Sequence, residues 1–170
     1  ALINRLTVIT GGPGMGKTWT VRNLLALLCI SHPDGGNEDP PLIALAAPTG
    51  KAAVRIRESL LDGFEEEFLP ALRAFLPPDK AERIGDFIAG LRAMTLHRLL
   101  GVRPDNSSRF RHHRDKPLPF DAVIVDEVSM VDFRMMAKLM DAIGDRGERP
   151  TRLILLGDRD QLASVEAGTV

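Results

Sequence analysis

Four short runs rich in Val, Ile and Leu punctuate the chain: LTVIT at residues 6–10, LIALAAP at 42–48, AVIVDE at 122–127 and RLILLGD at 152–158. None alternates cleanly between apolar and polar positions. Continuous apolar strands are what a parallel sheet covered on both faces requires. Between these runs the apolar positions change to helical spacing. Residues 17–30 put Val21, Leu24, Leu25 and Leu28 on one face, and residues 132–143 do so with Phe133, Met136, Leu139, Met140 and Ile143. Residues 51–61 are less regular, with Ala52, Val54, Ile56 and Leu60. Strands alternating with helices predict stacked β–α–β units: an α/β domain in three layers, its mainly parallel sheet carrying helices on both faces.

The interval 64–93 breaks the rhythm. It reads as two helices parted by Pro77 and Pro78, with Asp79 as the cap of the second. Asp62, Glu65, Glu66 and Glu67 read as a solvated helix face, and SHPDGGNEDPP at 31–41 is a surface loop by composition. No internal repeat is visible.

The first strand runs straight into GGPGMGKT, residues 11–18, before the first helix. This satisfies G-x-x-x-x-G-K-[ST] in the strand–loop–helix context the pattern needs. Bare backbone lets N–H groups line a concave nest for a polyphosphate, and the helix adds its positive N-terminal end. Gly12, Pro13, Gly14, Met15, Gly16, Lys17 and Thr18 are therefore the candidate nucleotide-binding residues. Lys17 can set an ammonium between the outer phosphates, and the Thr18 hydroxyl is a hard oxygen suited to Mg²⁺.

A phosphate loop alone does not choose among kinase, GTPase, ATPase and motor. The strand 122–127 ends in two adjacent carboxylates, and groups at strand C-termini project into the ligand crevice of a parallel sheet. That division suits Asp126 to the metal and Glu127 to taking a proton from an attacking water. Gln161, in LGDRDQL, is neutral and can hydrogen-bond a terminal phosphate or the water beside it. Asp158 either braces that loop or caps a turn.

Composition adds bounds rather than chemistry. With 44% hydrophobic and 26% charged residues in 170, the chain has the make-up of a globular protein with room for a core. The net charge of −1 gives no hint of nucleic acid, so any basic surface is local. Such a strip lies at 103–117, where Arg103, Arg109, Arg111, Arg114, Lys116, His112 and His113 are partly offset by Asp105 and Asp115. In this irregular segment it can follow a backbone, dock an acidic partner face, or stay a solvated loop. His112 and His113 lack other metal-type ligands nearby, so no metal site is expected there. Cys29, the lone cysteine, reads as a buried core thiol and fits a reducing cytoplasm. No apolar run approaches the roughly 20 residues of a membrane span, and no signal peptide is recognisable.

Taken together, GGPGMGKT, APTGKAA at 47–53, TLHRLLG at 95–101, VDEVSM at 125–130 and LGDRDQLASVEAGTV at 156–170 resemble motifs I, Ia, Ib, II and III of superfamily 1 helicases in order and spacing. The VDEVSM and GDRDQL forms are similar to the 5′→3′ branch. Within it they resemble the alpha-chain (RecD) family of bacterial exodeoxyribonuclease V. The matched motifs run from Gly11 to Gly168, and 64–93 carries none.

The resemblance implies a RecA-like first motor domain that uses ATP and Mg²⁺ to translocate 5′→3′ on single-stranded DNA. It also implies a cytoplasmic, bacterial helicase–nuclease complex for double-strand-break repair and recombination, with the nuclease on another subunit. Lys17 would contact the phosphates, Thr18 the magnesium and Asp126 its water shell. Glu127 would activate water, and Gln161 would sense the γ-phosphate. Pro48, Thr49, Gly50, Lys51, Thr95 and His97 fall where the family touches the DNA backbone, and Ser164, Val165 and Gly168 lie near it. Independently, 49–51 follow a strand and open a helix, which offers N–H donors and one cation to a phosphate. His97, on an apolar stretch, could equally be a core histidine.

The family also carries an adenine-reading glutamine motif upstream and arginines on a second motor domain of the same chain. Neither is among these residues, so 1–170 is expected to be the first motor domain of a longer protein, weakly active by itself. Two other readings stay open. One is a nucleotide-gated nucleic-acid-binding or subunit-contact module without activity of its own. The other is an RNA-directed helicase of the same superfamily.

Overall fold

The computed structural model describes residues 4–12, 16–32, 40–103, 106–143 and 150–158. Five strands form one parallel sheet: β1 (Leu6–Thr10), β2 (Ile43–Ala47), β3 (Ala93–Thr95), β6 (Ala122–Val125) and β7 (Arg152–Gly157), in the order β1-β7-β6-β2-β3. The helices are α1 (Lys17–Ile30), α2 (Gly50–Leu61), α3 (Leu69–Phe75), α4 (Pro78–Gly90), α5 (Leu96–Leu100) and α6 (Phe133–Ala142). A π-helical turn, Phe64–Phe68, leads from α2 into α3, and a 3₁₀ turn, Val128–Met130, follows β6. None of the described helices is long and apolar enough to cross a membrane.

Strand residues alternate between the two faces of the sheet. Ile43, Leu45, Ala122, Ile124, Ile154 and Leu156 join the side chains of α1, α2, α4 and the π-helical turn. Ala44, Ala46, Val123, Val125, Leu153 and Leu155 pack on the opposite face with α5 and α6. Apolar on both sides, these strands give the three layers their runs predict.

β1 departs from that expectation. It stands at the edge of the described sheet, and its outward residues Leu6 and Val8 are 46% and 57% exposed. Two helix faces also differ from their expected membership. α6 buries Met135, Leu139 and Ala142, while Phe133 and Met140 are exposed. At about 100° per residue, those two lie about 100–120° around the helix from Leu139. Val54 is exposed because it falls almost opposite Ile56 on α2.

Three segments are more ordered than their sequence suggests. β3 pairs with β2, Ala47 opposite Thr95, and α5 follows at once. At the start of the basic segment 103–117, β4 (Val102–Arg103) and β5 (Asn106–Phe110) form an antiparallel hairpin, and farther on His113 bridges Lys116. Gly101 makes the turn into it at φ +71°, where an added Cβ would meet the Arg111 side chain at 2.9 Å. Asp79 is not the cap of α4: Pro77 holds that place and Asp79 lies in the first turn.

Arg22 is the one arginine in the described core, 6% exposed on α1. Its Nε donates to the Leu60 carbonyl at 2.9 Å, and its Nη2 donates to the carbonyls of Ser59, at 2.8 Å, and Asp62. A guanidinium satisfied by the negative end of a helix can be buried without a carboxylate partner. It fastens α2 to α1. Farther along α1, burial pushes the Cys29 thiol up to about 12, with a backbone hydrogen bond acting weakly the other way.

Candidate nucleotide site

The site is built where the strands end. Gly11, just past β1, donates its N–H to the Gly157 carbonyl at 3.3 Å, tying the loop's entry to β7. Gly16 is left-handed at φ 73° and precedes α1, whose start carries no side-chain cap and no acidic first-turn residue. Thr49, Thr95 and Asp132, by contrast, accept hydrogen bonds from the first-turn amides of α2, α5 and α6. An uncapped helix start preceded by glycine leaves its orphan N–H groups to a ligand. The Lys17 ammonium donates to the Gly11 carbonyl at 2.5 Å, which holds it over the loop. Pro13, Gly14 and Met15, the middle of the expected nest, lie outside the described residues.

Across the sheet, Asp126 continues the β2–β6 ladder by donating its N–H to Ala46 at 2.9 Å. Its Oδ1 accepts the Glu127 amide at 2.8 Å, which orients the carboxylate and leaves its second oxygen for a ligand. Glu127 has φ 51°, the only positive value at a non-glycine among the described residues. A left-handed backbone costs an L-residue on the order of 1–2 kcal/mol, and such strain collects at working sites. Here it turns the chain from strand to 3₁₀ turn directly after Asp126.

Both carboxylates line a cleft of about 230 Å³ together with Lys17, Thr18, Arg55 and Asp158. Asp158, which the sequence left as brace or cap, is buried at the end of β7 on the cleft's wall. Thr18 and Asp126 bring a hydroxyl and a carboxylate to the same space, the oxygen donors that Mg²⁺ takes. Lys17 lines the same cleft and brings a cation to it.

The strained position gives a measurable prediction. Glu127→Gly relieves the left-handed penalty but loosens the unfolded chain. The expected net is a gain of about 0.5–1 kcal/mol in urea unfolding. A variant less stable than the parent would show that position 127 stores no strain.

The expected DNA contacts divide into two groups. Pro48, Thr49, Gly50 and Lys51 lie at the end of β2 and the start of α2, next to Thr95 at the end of β3. Gly50 and Lys51 are exposed. Both threonines are engaged as caps: Thr49 Oγ1 accepts from Ala52 at 3.1 Å and Thr95 Oγ1 from Arg98 at 3.3 Å. His97 is exposed rather than a core residue, its ring 6.0 Å from that of Phe110. Gln161, Ser164, Val165 and Gly168 lie outside the described residues.

Sequence reasoning missed Arg55. Its Nη1 lies 3.9 Å from Glu127 Oε1, inside the cleft. The only signal for it was its place four residues after Lys51, one turn along the same helix face.

The profile of the AAA domain family matches residues 1–167. The chain is 53% identical over its full length to the RecBCD enzyme subunit RecD of Mycolicibacterium smegmatis, covering 27% of that protein. It is 43% identical to the RecBCD enzyme subunit RecD of Haemophilus influenzae, covering 24% of it. Over 97% of its length it is 36% identical to the ATP-dependent RecD2 DNA helicase of Deinococcus radiodurans, covering 17% of it. The chain thus spans about a quarter or less of the curated relatives it matches.

Proposed function

The chain belongs to the AAA domain family, and from that premise we propose that it is the first motor domain of an ATP-dependent DNA helicase, a 5′→3′ translocase on single-stranded DNA. The observation that carries this reading is the convergence of Lys17, Thr18, Asp126 and Glu127 on one cleft. Lys17 and the uncapped start of α1 bind the outer phosphates. Thr18 and Asp126 would hold Mg²⁺, which when bound would neutralise charge that develops on the phosphates. Glu127 takes the proton of the attacking water. Gln161 reports the terminal phosphate. The exposed Gly50 and Lys51, with Pro48, Thr49, Thr95 and His97 beside them, meet the DNA backbone.

The relatives' names, which make them subunits of the RecBCD enzyme in bacteria, support a place beside other subunits; the motif resemblance extends this reading to a cytoplasmic helicase–nuclease complex acting in recombination and break repair. The same names favour the motor over a binding module without activity, and DNA over RNA.

The deciding assay is steady-state ATPase of the full-length protein with no nucleic acid, with single-stranded DNA and with single-stranded RNA. The expected result is Mg²⁺-dependent hydrolysis raised more by DNA than by RNA. Nucleotide binding without hydrolysis would replace the motor with a gated binding module, and stronger stimulation by RNA would change the substrate.

A further inference from the structure

The helix α2 reaches two places at once. Its first turn offers exposed Gly50 and Lys51, and its last turn is clamped to α1 through Arg22. Between them Arg55 extends into the nucleotide cleft and pairs with Glu127 at 3.9 Å. Lys51 and Arg55 are four residues apart, so they share a face and lie about 6 Å apart along the helix axis. The Arg55 side chain is 61% exposed against 28% for Glu127, so of the two it is the freer to move. The backbone of Glu127 is set by its left-handed φ and by the bond from its amide to Asp126. Among the described residues, what remains to direct its carboxylate is the side chain's own torsions and the Arg55 guanidinium.

We propose that Arg55 is a positioning residue that makes hydrolysis depend on what occupies the start of α2. With no anion there, the guanidinium attracts the Glu127 carboxylate toward α2 and biases the direction in which it points. A nucleic-acid phosphate docked at Gly50–Lys51 lies on the same face of α2. It draws the guanidinium toward itself and releases Glu127. The coupling needs no movement of the sheet or of the clamped end of the helix, only exchange of one cation between two anions. It rests on the reading of Glu127 as base and of the α2 start as a phosphate contact.

The test is Arg55→Ala in the full-length protein, with kcat and KM for ATP measured with and without single-stranded DNA. An exposed ion pair of this kind corresponds to about a two- to fivefold effect. DNA-free kcat is expected to rise by that factor, the stimulation ratio to fall correspondingly, and KM for ATP to stay unchanged. Arg55→Lys, which keeps the charge, should restore part of the restraint. Binding of a fluorescent ATP analogue and thermal melting of both variants separate this from misfolding or a lost phosphate ligand. A fall in kcat with and without DNA, a raised KM, or an unchanged stimulation ratio would overturn the proposal. If the unmodified protein shows no DNA-stimulated hydrolysis, the function proposed above fails first.

Discussion

Glu127→Gln slows ATP hydrolysis by the full-length protein by a factor on the order of 10²–10⁴, the usual contribution of a general base, while nucleotide and DNA binding persist. The substitution is nearly isosteric. The hydrogen bond that the backbone N–H of residue 127 donates to Asp126 Oδ1 does not involve the side chain and survives it. The 3.9 Å contact with Arg55 loses its charge but keeps an oxygen acceptor. What disappears is the capacity to take a proton. The deficit is therefore expected in kcat, with KM for ATP little changed, and single-turnover quench-flow locates it in the chemical step. Near-normal turnover by this variant would remove Glu127 from the role and leave Asp158, on the same cleft wall, as the next carboxylate to examine.

Arg22→Ala destabilises the domain by about 2–4 kcal/mol. Three carbonyls in and just past the last turn of α2 lose a charged donor, and each hydrogen bond to a charged group is worth roughly 1.5–3 kcal/mol gross, less where water can enter. The stem of the side chain also leaves a gap between α1 and α2. Arg22→Lys is expected to recover little, because one ammonium cannot reproduce a fork that serves Leu60 through Nε and Ser59 and Asp62 through Nη2. Urea unfolding at constant m-value measures the loss. A change below about 0.5 kcal/mol, the scale of an ordinary surface substitution, would mean that packing of Ile56 and Leu60 alone holds α2 in place. Because α2 also carries Arg55 and the expected DNA contacts, surviving Arg22→Ala protein should show weakened stimulation by DNA as well.

The sheet and its long helices were legible because they bury whole runs of side chains. AVIV of β6 and LILL of β7 fill both faces, and α1 spans the bounds its spacing predicts. β3 was not legible: three residues, Ala93–Thr95, all half-buried, owe their conformation to β2 alongside rather than to their own pattern. The hairpin strand Asn106–Phe110 is polar and is ordered by pairing with β4. Arg22 ran against expectation for a different reason. Arginine ordinarily stays in water, and its burial depends on carbonyls some forty residues away that only the folded chain brings near. The convergence of Lys17, Thr18, Asp126 and Glu127 was foreseeable from motif logic and from the rule that strand C-termini face the crevice. The pairing of Arg55 with Glu127 was not, since no local pattern states how α2 tilts toward β6.

The thiol near the far end of α1 makes that helix its own clock. Only a thiolate reacts readily with alkylating reagents, and Cys29, 2% exposed and titrating near 12, offers almost none while folded. Covalent labelling at neutral pH must wait for the helix to lift from the sheet, so its rate counts those openings where closing outpaces the reagent. With one cysteine among 170 residues, every added mass on the isolated domain marks the same event. The tightness of the Arg22 clamp can then be timed with no denaturant present.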